Sequence, residues 1–252
     1  MLTIKPITDT DLSSVIHWPC PLSEAFKCAL LQQASIATVQ TGQFVAGESG
    51  SLIHFLSGLM LMHWIPEDGR HSKGFIVGQG DWMGHSQLFA EKYVFMVRME
   101  VVEPTTLVVL PRANAIKLAK EHGEIYKLAY HVGVERWQSL LQVSHFNPHG
   151  DCRHNVAFAL LDACRRMPRI KGTLPVIRLS QQQIALLTGF GRQRVNAELQ
   201  YLAGAGFIEI KRNSIALLDA EGLGGCLNAA LMIMDDPRQS SRWPFRGPAA
   251  DQ

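Results

Sequence analysis

The stretch from Leu179 to Leu202 constrains this chain more than any other, because it can only be two short helices held across a tight turn. Ser180 is placed to cap the first helix, which runs through Gln181-Gln182-Gln183-Ile184-Ala185-Leu186-Leu187-Thr188. Gly189 can close it in the left-handed conformation that glycine adopts without strain. Ala185 is small where a second helix must approach closely. That second helix begins near Arg192, and Val195, Leu199 and Leu202 recur on one face with helical spacing.

Once that stripe is turned inward, Arg192, Gln193 and Asn196 are left facing out from the first two turns. All three side-chain types make bidentate contacts to base edges in a major groove: Arg to guanine, Gln or Asn to adenine. Ser180, Gln181 and Arg194 suit contacts to phosphate, which position a protein without specifying sequence. Beyond the second helix, Phe207-Ile208-Glu209-Ile210 and Ser214-Ile215-Ala216-Leu217-Leu218 flank the basic turn Lys211-Arg212-Asn213, the pattern of a two-stranded wing. An ordinary helical hairpin with a polar face is the alternative. The whole chain carries a formal charge of only +2, yet Arg165 to Arg212 holds nine basic residues against Glu198 and Glu209. Charge in this one stretch is what a phosphate backbone would require.

The preceding half has a different texture. Residues 38–111 alternate short apolar runs with glycine turns: Ser51 to Leu56 closed by Ser57-Gly58, then Leu59 to Ile65 ending at Asp68-Gly69, then Phe75-Ile76-Val77, then Val94 to Val102 and Thr106 to Leu110. This pattern predicts an antiparallel barrel or sandwich. From Arg112 to Ser144 no proline occurs, and Ile125, Leu128, Val132, Leu140 and Val143 predict one long amphipathic helix. That stripe is expected to meet a partner helix, with packing on its own domain as the alternative. Phe146 to Gly150 breaks the helix, Asp151 caps the next one, and Pro168 to Pro175 reads as a linker. His145, His149 and His154 gather at this break and read as a hinge rather than a metal site.

Taken in this order, the elements resemble the Crp/Fnr family of bacterial transcription regulators over about residues 35 to 222. The specific part is Leu179-Ser180-Gln181 through Gly189, Arg192-Gln193-x-Val195-Asn196, and Ile208-Glu209 to Leu218-Asp219. The resemblance implies an α+β chain: a cyclic-nucleotide-binding-type β jelly roll, a dimerisation helix and a winged helix-turn-helix. It divides the sequence into a barrel sensor with a helical lead-in (1–111), dimer helix and hinge (112–150), DNA-binding domain (151–222) and a mobile tail (223–252). It implies double-stranded DNA, a second copy of the chain and RNA polymerase as partners. Base reading is expected from Arg192, Gln193 and Asn196, supported by Ser180, Gln181, Arg194, Lys211 and Arg212. Two positions depart from the pattern: Gly191 stands where a capping Ser is frequent, and Gln193 replaces an acidic residue.

The sensor motif Gly80-Asp81-Trp82-Met83-Gly84 is followed by His85, where nucleotide-binding relatives carry Glu. Tyr93-Val94-Phe95-Met96 supplies neither the Arg nor the Ser that hold a cyclic phosphate in such relatives. A buried phosphate without its counter-charge is costly, so cyclic AMP is expected to bind weakly or not at all, and control by another small effector stands beside ligand-independent control set by abundance. Trp82, Met83, Gly84, His85, Leu88 and Phe89 are the candidate pocket.

No cofactor is expected. Cys20 and Cys28 are too few for a four-thiolate iron–sulfur cluster, with no further cysteine before Cys152. None of the ten histidines, His17, His54, His63 and His85 included, is singled out by spacing as a haem ligand. Redox sensing by Cys20 and Cys28 competes with burial as ordinary core thiols. Five scattered cysteines, no secretory leader and no apolar run of bilayer length lead to the expectation of a cytoplasmic protein without membrane contact. No nucleophile–base set or phosphate loop is present to suggest an enzyme. The alternative from another class is a cupin-like metal-dependent enzyme with an accessory helical domain, for which His54, His63 and His85 lack a spaced carboxylate.

Overall fold

The computed structural model describes residues 3–7, 12–46, 50–64, 74–90, 97–141, 151–168 and 173–228. It divides into two compact units, residues 1–65 with 77–137 and residues 66–76 with 138–252. Among the described residues no helix is long and apolar enough to cross a membrane.

In the first unit β1 (Thr3–Pro6), α1 (Leu12–Val15) and α2 (Glu24–Gln32) lead into β2 (Ser35–Val39) and β3 (Phe44–Ala46). Then come β4 (Leu52–Trp64), β5 (Gly74–Gly78), of which only Val77 and Gly78 belong to this unit, β6 (Trp82–Met83), α3 (His85–Leu88) and β7 (Val97–Leu110). The sheet runs β1-β2-β7-β4-β5, with β3 on β7 and β6 on β4. Two long strands replace the four short ones expected from sequence. Ser57-Gly58 does not end a strand: β4 runs on through it, with register shifts against β7 between Phe55 and Met60. Gly58 has φ +91°, and a Cβ there would run into Thr105 and the Pro104 carbonyl. Pro104 has no N–H to give the ladder, so a bulge on the facing strand absorbs the missing bond.

The single long helix expected over 112–144 is two helices, α4 (Arg112–Glu121) and α5 (Glu124–Leu141). His122, in extended conformation, ends α4. Glu124 then starts α5, accepting hydrogen bonds from Ser23 N–H at 2.8 Å and Ser23 Oγ at 2.6 Å. Those bonds hold its carboxyl below the ordinary range, and the charge sits well at a helix N-terminus. Ile125, Leu128 and Val132 enter one core with Phe26, Leu30, Leu52, Trp82, Leu88, Val108, Leu110 and Leu118. The inner face of α5 is therefore spent on its own barrel, and helices 112–137 belong to the first unit.

The second unit is built around α6 (Cys152–Arg165), capped by Asp151, whose side chain accepts from His154 N–H at 2.7 Å. Then follow β8 (Val176–Ile177), α7 (Gln181–Thr188), α8 (Arg192–Gly204), β9 (Ile208–Lys211), β10 (Ser214–Leu217) and α9 (Ala220–Gly225). Helices α6, α7 and α8 pack against one another, and α9 packs on α6. The small sheet has three strands rather than two, ordered β8-β10-β9, because Val176-Ile177 pairs with Ala216-Ile215. A two-residue strand beside a proline leaves no periodicity to read. The unit also outlasts the expected boundary at 222: Leu223 and Leu227 are buried, and Asn228 N–H donates to His154 Nδ1 at 2.9 Å. His145, His149 and residues 229–252 of the expected tail lie outside the described residues.

Candidate nucleic-acid interface

Ser180 caps α7 in a reciprocal box: its side chain accepts from Gln183 N–H, and the Gln183 side chain accepts from Ser180 N–H at 2.8 Å. Two otherwise unpaired backbone donors are satisfied this way. Gly189 ends the helix at φ +73°, and the Phe190-Gly191 step carries the chain into α8. Ile184, Ala185 and Leu187 of α7 are buried, as are Val195, Leu199 and Leu202 of α8. With those faces turned inward, Arg192, Gln193 and Arg194 project into solvent from the first turn of α8. Gly191 caps that turn without a side-chain bond, so the peptide N–H groups there are not engaged by a capping side chain.

Gln181, Asn196 and Arg194, all expected contact residues, already hold partners. Gln181 Nε2 donates to Asn196 Oδ1 at 2.8 Å, tying the start of α7 to the second turn of α8. The Arg194 guanidinium lies 4.7 Å from the centroid of the Phe190 ring, which braces it beside the turn. In the wing, Lys211 pairs with Glu209 at 3.0 Å, both half-exposed, while Arg212 is exposed. Asn213 takes φ +61°, the left-handed step that lets Lys211 face Ser214 across the hairpin. Sequence reading passed over the brace behind α8. Arg153, in the first turn of α6, donates to Glu198 at 2.9 Å and stacks 3.5 Å from the centroid of Tyr201. Glu198 and Tyr201 lie three apart, a visible helical pair, but nothing along the chain connects them to Arg153.

The Crp-like helix-turn-helix domain model matches residues 155–225, which span α6 to α9. That stretch is a Crp-like helix-turn-helix domain. The fold of the chain is that of the Crp/Fnr regulators. FixK2 from Bradyrhizobium japonicum superposes with a TM-score of 0.62 at 16% identity, over 78% of this chain and 98% of that one. A transcriptional regulator of the Crp/Fnr family from Eubacterium rectale gives 0.62 at 18%, over 81% and 94%. The c-di-GMP responsive global regulator CLP of Xanthomonas campestris gives 0.61 at 18%, over 77% and 99%. No curated protein matches the sequence.

On the Crp-like frame, the residues expected to form an effector pocket are placed as follows. Trp82 and Leu88 lie in the barrel core, and Trp82 Nε1 donates to the His17 carbonyl at 2.6 Å. Phe89 stacks on Tyr126 of α5 at 4.6 Å. Gly84, at φ +91°, passes so close to the Ser51 carbonyl that no Cβ would fit. Met83 and His85 face α5: Arg136 points a guanidinium nitrogen at the Met83 sulfur, and the His85 ring lies over Gly133. Burial, reinforced by the charge of Arg136, brings the His85 pKa down to about 4, so this imidazole is neutral at physiological pH. Tyr93 to Met96 and His63 lie outside the residues whose side chains are described.

The expected dimer stripe is corrected by the same packing. Ile125, Leu128 and Val132 are buried in their own unit, and only Leu140 of the described members is exposed; Val143 lies outside the described residues. The open face of α5 is another one. Tyr126, Tyr130, Val134, Trp137 and Leu140 stand exposed, with Tyr130 at 68% and Trp137 at 64%. Their steps of four, four, three and three residues were legible in the sequence. They went unread because two tyrosines count for less than aliphatic residues in a search for apolar stripes. A flank between these faces is taken by the chain's own lead-in, through Ser23 on Glu124, the Pro21 carbonyl on Lys127 at 2.8 Å, and His17 on Glu135 at 3.3 Å.

Cys28 is exposed, Cys20, Cys152 and Cys164 are buried, and Cys226 is half-buried. Burial pushes the thiols of Cys20, Cys152 and Cys226 up, away from the thiolate form. Among the described residues no three His, Cys, Asp or Glu side chains gather as a metal site would require.

Proposed function

We propose that this chain is a sequence-specific DNA-binding transcription regulator that acts as a homodimer on a roughly palindromic operator. The observation that carries the reading is the geometry at the start of α8. Arg192 and Gln193 project from the first turn of a helix whose opposite face is locked to α6 and α7, within a domain matched by the Crp-like model. A recognition helix meets the major groove by its N-terminal turns. Arg194 and Arg212 flank it as phosphate-directed cations, with Lys211 beside them in the wing.

The open stripe on α5 supports the second copy. Apolar and aromatic residues spaced near three and a half apart form the seam that a parallel helix partner covers. Two-fold symmetry then presents two α8 helices to two half-sites. An effector other than cyclic AMP, acting through the barrel, fits the neutral His85 beside Arg136 where nucleotide-binding relatives keep a carboxylate. RNA polymerase as a further partner and the cytoplasm as location rest on the family resemblance alone. Selection of bound sequences from random duplex DNA tests the reading. Enrichment of an inverted repeat supports it, and enrichment of no sequence removes it.

A further inference from the structure

The hydrogen bond between Gln181 and Asn196 changes what Asn196 can read, and this inference rests on the DNA-reading function proposed above. An asparagine that recognises adenine on its own uses both ends of its amide: Oδ1 accepts from the adenine N6 amino group while Nδ2 donates to N7. Here Oδ1 already accepts from Gln181 Nε2 at 2.8 Å. That bond orients the Asn196 amide and takes one of the two lone pairs of its Oδ1. Both side chains are half-buried, unlike the exposed Arg192 and Gln193, so the pair is a less mobile part of the surface. Gln181 is also held by its backbone, as the first residue of a helix with a closed capping box.

We infer that Gln181 and Asn196 form one reading unit in which Gln181 sets Asn196 as a hydrogen-bond donor. The base met by Asn196 is then one that offers acceptors on its major-groove edge, guanine through N7 and O6 or thymine through O4, in preference to adenine, whose amino group would have to share Oδ1 with Gln181 in a plane that Gln181 has set. Gln181 is thus a specificity-determining positioning residue and not only a phosphate contact.

The test is sequence selection from random duplex DNA with the full-length protein, its Asn196→Ala variant, and two variants at position 181. Gln181→Met keeps the side-chain length and removes the donor; Gln181→Ala removes both. Melting temperatures of all variants confirm folding. Asn196→Ala identifies the base pair concerned as the one whose preference flattens. At that pair the unmodified protein is expected to select guanine or thymine, and both Gln181 variants are expected to shift selection towards adenine by about tenfold. A Gln181→Met protein that binds every sequence more weakly with unchanged preferences overturns the inference, as does adenine preference in the unmodified protein. Arg192→Ala serves as the control on the underlying reading. If it relaxes a different base pair while Gln181→Met alters none, only the paired unit fails. If the unmodified protein enriches nothing, the DNA-reading function fails with it.

Discussion

Arg136, on the inner face of α5, closes a buried ion pair at 3.1 Å with Asp81, which caps the turn before β6 and also accepts from Gly78 N–H at 2.8 Å. The contact fixes α5 to the turn between β5 and β6. Removing one member of a buried pair leaves the other charged and desolvated. Arg136→Ala is expected to cost about 3 kcal/mol of stability. The double variant Arg136→Ala, Asp81→Ala should cost clearly less than the sum of the singles. Chemical denaturation of the four proteins measures this, and additive losses would show that the pair carries no coupling.

His85 gives the stability a defined dependence on pH. Its pKa is about 4 in the folded chain against 6.5 ordinarily, because burial and Arg136 disfavour the imidazolium. Above pH 6.5 both folded and unfolded forms are neutral and nothing is lost. As the pH falls from 6.5 towards 4 the unfolded chain takes up the proton first, so stability declines over that window and levels off below it. The full decline from this residue is about 3 kcal/mol. Melting temperatures of the native protein and of His85→Gln should keep a constant separation near pH 7, and the separation should change as the pH falls towards 4, where only the native protein loses stability through this residue. Parallel curves would remove His85 as the cause.

The open face of α5 predicts a dimer that depends on aromatic residues and not on the stripe buried in the barrel. Trp137→Glu and Tyr130→Glu place charges on exposed positions and should leave the fold intact. Each is expected to weaken self-association by at least about tenfold, as burying an unpaired charge in an interface would. Analytical ultracentrifugation over a concentration series reads the outcome. Unchanged association in both variants would exclude this face.

Arg192 and Lys211 should fail differently on DNA. Arg192→Ala is expected to lose discrimination at one base pair of each half-site, by roughly 1–3 kcal/mol. Lys211→Ala should weaken all sequences alike and reduce the salt slope by about 1. Because Lys211 is shared with Glu209, its loss should be the milder of the two on a cognate site. Binding isotherms at several salt concentrations separate the two effects, and no change in either variant would exclude α8 and the wing as the DNA-facing surface.

Elements written in local code were legible without coordinates. The Ser180 cap, the left-handed Gly189 and the buried trio Val195, Leu199 and Leu202 each depend on residues within one or two turns. The long strands were not legible, because Gly58 reads as a turn until Pro104 is known to lie opposite it. Nor was the division of 112–144 into two helices, since the bond that starts α5 comes from Ser23, about a hundred residues earlier in the chain.

The sequence alone determined that α8 has one apolar face and one polar face, and which residues stand on each, because helical period and side-chain type suffice for that. Tertiary structure decided what those polar residues are free to do. It joined Gln181 to Asn196 across a turn, braced Glu198 with Arg153, and turned Ile125, Leu128 and Val132 into the barrel so that Tyr130 and Trp137 face outward. The physical reason is that hydrogen-bonding capacity and apolar surface are used up by whichever neighbour arrives first, and neighbours distant in the chain leave no trace in local periodicity.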